Sequence, residues 1–190
     1  GIADFERHFG RKPEGMWLAE TAADVETLEI LAEHDIRFTI LSPSQAARIR
    51  TINRGKWKDI NEEELNTRMP YICRLPSGRT IYLFFYEGAI SQDIAFKGLL
   101  YSGDDLAERF RAAFDDKSED SQLVHVATDG ETYGHHHHKG EMALAYCIYQ
   151  MDANYEENIT IYGEYLDHFK PTHEVQIHDN TSWSCVHGVE

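Results

Sequence analysis

Several of the features that mark protein classes are scarce or missing in this sequence. There are three cysteines, Cys73, Cys147 and Cys185, with no Cys-x-x-Cys spacing. That excludes a disulfide framework and a thiolate zinc site, fits a reducing cytoplasm, and leaves each cysteine the role of a small core residue. Basic residues are few, 18 against 33 acidic, for a net charge of −15. Such a chain repels phosphate backbones and anionic bilayers, so neither nucleic acid nor a membrane is an expected partner. No apolar run is long enough to span a bilayer, and the opening GIADFERHFG lacks the apolar stretch of a signal peptide. The abrupt start without Met is what a processed product or an excised piece would show. No glycine-rich fingerprint follows any strand-like run, which removes the usual mark of a nucleotide site.

The chain does hold apolar segments that alternate in kind. At 190 residues with 42% hydrophobic side chains it can build one core, and a single domain over residues 1–190 is expected. Ile2 to Gly10 is a short amphipathic helix candidate, with Phe5 and Phe9 four apart. GMWLAE is a brief strand-like run ending in Glu20, and a helical stripe of Val25, Leu28, Leu31 and Ala32 follows it. RFTILSP is a second strand halted by Ser-Pro, and SPSQAARIR reads as a short helix capped by Ser42 or Ser44. Residues 53–69 are polar around Trp57 and predict a surface excursion. YICRL, Pro76-Ser77-Gly78 and RTIYLFFYE have the turn chemistry of a β-hairpin. Its second strand ends in Glu87, before the helical patterns AISQDIAFKGLL and DDLAERFRAAF. Leu123 to Met151 predicts a strand, an acidic turn and a helix with Met142, Ala145 and Tyr149 on one face. ITIY with GEYLDHF predicts a further strand and helix, and THEVQIHD alternates like a strand. Strands alternating with helices imply an α/β fold with a mainly parallel sheet, and the continuously apolar IYLFF implies burial on both faces. A barrel or a doubly wound sheet follows, and strands ending in acids favour the barrel.

In parallel α/β folds the residues just past the carboxyl ends of strands gather on the ligand-binding face. Glu20, Glu87, Asp129 and Glu131 all stand at such ends. Period two along LVHVATD puts His125 on the side of Asp129, one layer below it; along GMWLAE it puts Trp17 opposite Glu20. Two carboxylates converging from different strands is what glycoside hydrolysis requires, whereas the plain alternative for each acid is a helix cap or an ion pair. The run His135 to His138 also has two roles open to it. His135 and His138, three apart, would share a helical face and join Asp129 or His125 around a divalent ion, or the run simply begins the helix near the mouth. The acids need no metal or other cofactor, so none is expected. Aromatic residues at 12% suit sugar stacking and an ordinary core alike, which keeps a non-catalytic carbohydrate-binding protein open.

WLAE, Trp17 to Glu20, and TDGETYG, Thr128 to Gly134, resemble two signature regions of glycoside hydrolase family 57. The segments WLAETAADVETLEILAEHDIRFTILSPSQA, LFFYEGAIS, TDGETYGHHH and NTSWSCVHG resemble, in this order, an uncharacterised bacterial branch of that family. The resemblance implies an incomplete (β/α)7 barrel of the glycoside hydrolase and deacetylase type, carrying the β-hairpin as an insertion. It implies a retaining hydrolase or glucanotransferase acting on α-glucan, with Glu20 as nucleophile and Asp129 as general acid/base, their carboxyls roughly 5 to 5.5 Å apart. Trp17, His125, Glu131, His135, Glu87 and Trp183 become candidate substrate contacts. The related polysaccharide deacetylases use an Asp-His-His metal site, which makes a metal-dependent deacetylase the alternative enzyme, with His135, His138 and Asp129 as its ligand set. The family's first-strand region and its C-terminal helical region are not visible, so a fragment of a larger chain is expected, with apolar sheet edges covered by the rest of that chain or by a second copy.

Overall fold

The computed structural model describes residues 1–154 and 158–184; Cys185 and His187, with the end of NTSWSCVHG, lie outside the described residues. The chain divides into two compact units, one of Gly1–Phe85 with the chain from Leu166 onward, the other Tyr86–Tyr165.

The first unit is a helix-backed sheet. It contains α1 (Ile2–Phe9), β1 (Gly15–Met16), α2 (Val25–Glu33), β2 (Phe38–Leu41), β3 (Ala46–Thr51), β4 (Lys58–Asp59), β5 (Tyr71–Arg74), β6 (Thr80–Phe85) and β7 (His173–Ile177). The seven strands lie in the order β1-β2-β6-β5-β7-β3-β4, and among the described residues this line does not close. Three pairings are parallel, β1 with β2, β2 with β6 and β5 with β7; three are antiparallel, β3 with β4, β3 with β7 and β5 with β6. The sheet is therefore mixed rather than mainly parallel. Both edge strands have two residues, and β4 is Lys58-Asp59, so each edge is short and the second is charged, two devices that discourage edge-to-edge pairing.

Local chemistry explains most of these elements. All four residues of β2 are buried, as a strand covered on both faces must be. The Asp24 side chain accepts from the Thr27 amide and starts α2, which buries Leu28 and Leu31 in a core with Leu41, Tyr71, Leu83 and Phe85. Each such aliphatic side chain contributes about 1.5–3 kcal/mol. The β5–β6 hairpin forms as its turn chemistry predicts, with Gly78 at φ 85°, a conformation that costs glycine nothing; its strands occupy the middle of the sheet rather than forming an appendage. At Gly15 a side chain would run into the Phe38 ring, so β1 can lie on β2 only without one.

SPSQAARIR departs from expectation. Only Pro43–Gln45 turn, as a 3-10 segment with Ser42 at its N-cap position but no capping bond from the Ser42 side chain, and Ala46–Thr51 is strand β3. Tertiary partners decide this. β3 pairs with β7, Arg48 and Arg50 lie over the Trp57 ring at 5.3 and 4.5 Å, and Arg50 donates to Glu174 at 2.7 and 3.1 Å. Glu174 is 2% exposed and also meets Arg74 at 3.3 Å. Burial alone would raise its carboxyl, but Arg50 and Arg74 bring it below the usual carboxylate range. A carboxyl depressed in the folded state stabilises the fold above its unfolded pKa, about 4.3, and that contribution is lost as pH falls through the folded value. Glu174→Gln is expected to cost about 2 kcal/mol at pH 7 and to flatten the acid limb of stability; urea unfolding at a series of pH values checks both.

The second unit is helical: α3 (Gly88–Phe96), α4 (Gly103–Arg111) and α5 (Gly140–Asn154). The unit boundary falls inside a last helix, α6 (Tyr162–His168). LVHVATD and ITIY, both expected as strands, form no ladder. The face of α5 that carries Met142, Ala145 and Tyr149 is the exposed one. Ala143 and Cys147 are buried with Leu106 and Ala107, while Met142 and Tyr149 are 62% and 64% exposed. Small residues allow α5 to approach α4 closely, and a side chain at Gly103 would strike Tyr146 and the Ala143 carbonyl. Cys73 and Cys147 are buried free thiols, as their scattered spacing predicts, and burial pushes both up to about 11. Among the described residues no helix is long and apolar enough to cross a membrane.

Candidate active site

Glu20 belongs to the first unit. β1 ends at Met16, Leu18 is buried, and Ala19–Thr21 make a 3-10 turn in which Glu20 has φ 56° and ψ 18° and Thr21 has φ 52°. Left-handed backbone is uncommon for Glu and an outlier for β-branched Thr, at a cost on the order of 1–3 kcal/mol per residue. Thr21 is fully buried; its hydroxyl donates to Gln45 Oε1 at 2.9 Å and accepts from the Trp183 amide at 3.0 Å.

The Glu20 carboxylate is held from the same side. Trp183 Nε1–H donates to Oε2 at 3.0 Å, and the Trp183 amide donates to the Glu20 carbonyl at 3.1 Å. Hydrogen bonds from the Ser184 side chain and from Trp183 lower the Glu20 carboxyl from its ordinary value, which favours the carboxylate form. Trp17 packs edge-on against Trp183, ring centroids 5.1 Å apart. The parity argument that set Trp17 away from Glu20 fails because the strand stops before Trp17 and the turn ends the alternation.

Asp129, Glu87, His125, Glu131 and the histidine run belong to the second unit. The segment ahead of Asp129 is held by a main-chain bond, Glu87 N–H to the His125 carbonyl at 2.8 Å, and by a bond from Ala127 N–H to the Ser91 side-chain hydroxyl at 3.2 Å. Asp129 precedes a 3-10 turn, Gly130–Thr132, and its carbonyl accepts from Thr132 N–H at 3.0 Å. Its exposed carboxylate makes no capping bond, and Glu87, ahead of α3, does not cap with its side chain either, so the cap explanation fails for both acids. His125 is buried and does not share a strand face with Asp129. Its Nδ1 is hydrogen-bonded to the Tyr162 hydroxyl at 2.9 Å, the two rings meet edge to face, and burial pushes that hydroxyl up to about 12. Glu131 faces His136 Nε2 at 3.5 Å.

His135 to His138 lie in a turn before α5, not on it; a bridge joins Tyr133 to His137, and His137 Nε2–H donates to the Ala95 carbonyl at 2.8 Å. The His135 and His136 rings meet edge to face, centroids 4.9 Å apart. The shared helical face proposed for His135 and His138 therefore does not exist. Among the described residues no three His, Cys, Asp or Glu side chains are gathered as metal ligands, so the structure does not bring His135, His138 and Asp129 together. Sequence reasoning missed Gln45, Thr21, Ser184 and Tyr162. The Ser42-x-x-Gln45 spacing of a capping box was a usable signal for Gln45; Thr21 and Ser184 stand next to the candidates Glu20 and Trp183 in segments that carry the family resemblance, and Tyr162 carries no signal.

Residues 2–178 match the family model described as glycosyl hydrolase family 57. No curated protein matches the sequence. Among solved structures the chain resembles a branching enzyme of this family type from Pyrococcus horikoshii, with a TM-score of 0.72 and 19% identity over 97% of this chain and 43% of that one. It also resembles a 4-α-glucanotransferase from Thermococcus litoralis, with a TM-score of 0.64 and 20% identity over 95% of this chain and 24% of that one. An α-amylase from Thermotoga maritima gives 0.66 and 15%, over 98% and 46%. The chain thus spans from about a quarter to just under half of the length of these structures, and the fold it shares with them is the α/β, (β/α)7-barrel type. With nearly all of its residues matched to one family model on that shared fold, the chain belongs to glycosyl hydrolase family 57.

Proposed function

We propose that the protein acts on α-glucan as a retaining glycoside hydrolase or glucanotransferase, with Glu20 as nucleophile and Asp129 as general acid/base. The observation that carries this is the family match over residues 2–178, to which Glu20 adds a carboxylate that accepts hydrogen bonds from Ser184 and Trp183. A glucanotransferase, a branching enzyme and an α-amylase among the similar structures support glucan as the substrate class.

In the first step a Glu20 oxygen attacks the anomeric carbon, the glycosidic C–O bond breaks, and Asp129 gives its proton to the leaving oxygen. The product of that step is a glycosyl ester on Glu20. Asp129, now a carboxylate, takes a proton from water or from a sugar hydroxyl, whose oxygen attacks the anomeric carbon and releases Glu20. Two displacements at one carbon retain its configuration, and the mechanism requires the two carboxyls to come within roughly 5 to 5.5 Å. Trp17 and Trp183 offer aromatic faces for sugar rings, and Glu87, Glu131 and His135 supply groups for sugar hydroxyls, whereas the buried His125 is out of reach of a sugar.

The test is capture of the intermediate. An activated 2-deoxy-2-fluoro α-maltosyl substrate, whose fluorine slows the second step, is expected to add one glycosyl mass to the protein, and peptide mapping should place it on the peptide containing Glu20. The first-formed product, followed by proton NMR, should be the α-anomer. A β-anomer, or a label on another residue, defeats the assignment.

A further inference from the structure

The proposed nucleophile stands on backbone that its own residue types disfavour, since Glu20 and Thr21 are both left-handed. Such a turn persists where its surroundings over-determine it, and the group that does this most is Gln45, which has no place in the reaction described above. Gln45 is 1% exposed, and the hydrogen-bonding capacity of its amide is fully used. Oε1 accepts from the Thr21 hydroxyl at 2.9 Å and from the Ser42 amide at 2.9 Å. Nε2 donates to the carbonyls of Thr21 at 3.0 Å and Thr181 at 3.1 Å, and reaches Thr181 Oγ1 at 3.2 Å. Its main-chain carbonyl accepts from His178 N–H at 2.9 Å.

Three segments distant in sequence therefore meet at one side chain: the end of β2, the Glu20 turn, and the stretch that follows β7. That last stretch is also bridged to the chain beyond the turn, Ala23 with Thr181, and two residues further on it delivers Trp183 to the Glu20 carboxylate. A carboxylate that must attack one carbon along one line needs both a fixed backbone and a fixed hydrogen-bond donor, and the Gln45 amide ties the two together.

We propose that Gln45 is a positioning residue for the Glu20 carboxylate, setting through Thr21 and Thr181 where Trp183 meets it; this rests on the nucleophile role given to Glu20 above. A merely structural Gln45 would stabilise the fold without tuning the carboxylate, and the test separates the two roles.

Gln45→Met keeps the length and removes every side-chain bond. Thr21→Val keeps the shape and removes the hydroxyl, while Thr21→Ser restores it. Gln45→Met and Thr21→Val are expected to lower kcat per folded molecule by about ten- to a hundredfold with KM little changed, and Thr21→Ser to recover most of the loss seen in Thr21→Val. The Glu20 carboxyl, followed by 13C NMR and assigned with Glu20→Gln, should titrate at higher pH in both damaged variants, because the hydrogen bonds that favour its carboxylate form loosen. Variants that melt earlier yet keep the parent's Glu20 titration and kcat per folded molecule overturn the proposal. If the Glu20 titration moves in Gln45→Met while Glu20→Gln retains turnover, the positioning stands and the nucleophile role falls. Should Gln45→Met not fold, the Thr21→Val and Thr21→Ser pair decides alone.

Discussion

Glu20→Gln is expected to lower turnover of α-glucan oligosaccharides by about four orders of magnitude or more, the scale on which removal of a covalent nucleophile acts in enzymes. The amide oxygen can still accept the Trp183 indole N–H, so the local fold has no reason to change, and the thermal unfolding midpoint should stay near that of the parent. What is lost is the negative charge that attacks the anomeric carbon. Shortening the side chain gives the complementary result. With Glu20→Gly and an activated α-glycosyl fluoride, added azide should restore turnover and yield the β-glycosyl azide, because an external anion replaces the missing carboxylate and only one displacement takes place. Turnover surviving Glu20→Gln would remove the assignment altogether.

Asp129→Asn is expected to cost about two to four orders of magnitude on a natural glucan, whose leaving oxygen needs a proton. On an aryl α-glycoside, whose leaving group departs unprotonated, the first step should be largely spared, and the loss moves to the second step, where water must be deprotonated. Burst kinetics would show this as an accumulating glycosyl-enzyme. Equal loss on both substrates would mean that Asp129 binds the sugar without handling the proton.

How much could be read from the sequence depends on how local each feature is. The β5–β6 hairpin was legible because Pro76-Ser77-Gly78 dictates a turn from within it, and Gly78 supplies the left-handed residue. α2 was legible because its buried stripe, Leu28 and Leu31, repeats at the helical period. Ala46–Thr51 was not. Those residues suit a short helix, and the partners that make them a strand, β7, Trp57 and Glu174, lie elsewhere in the chain. The pattern of α5 put Met142, Ala145 and Tyr149 on one face without saying which face packs; the close packing of α4 and α5 favours small side chains, so Ala143 and Cys147 are inside and Met142 and Tyr149 are not.

The candidate site divides along the same line. That Glu20 and Asp129 end their segments, that the chain is strongly acidic, and that it resembles one hydrolase family were all available from residue order and composition. The left-handed turn at Glu20 and Thr21, the Gln45 amide beneath it and the Trp183 indole on the carboxylate were decided by tertiary structure alone. Trp183 reaches Glu20 across a separation of 163 residues, and Gln45 reaches Thr181 across 136. Periodicity and turn chemistry act over a few residues, whereas a contact of that span exists only once the sheet has brought the chain segments together, and it then holds a backbone conformation that the residues themselves disfavour.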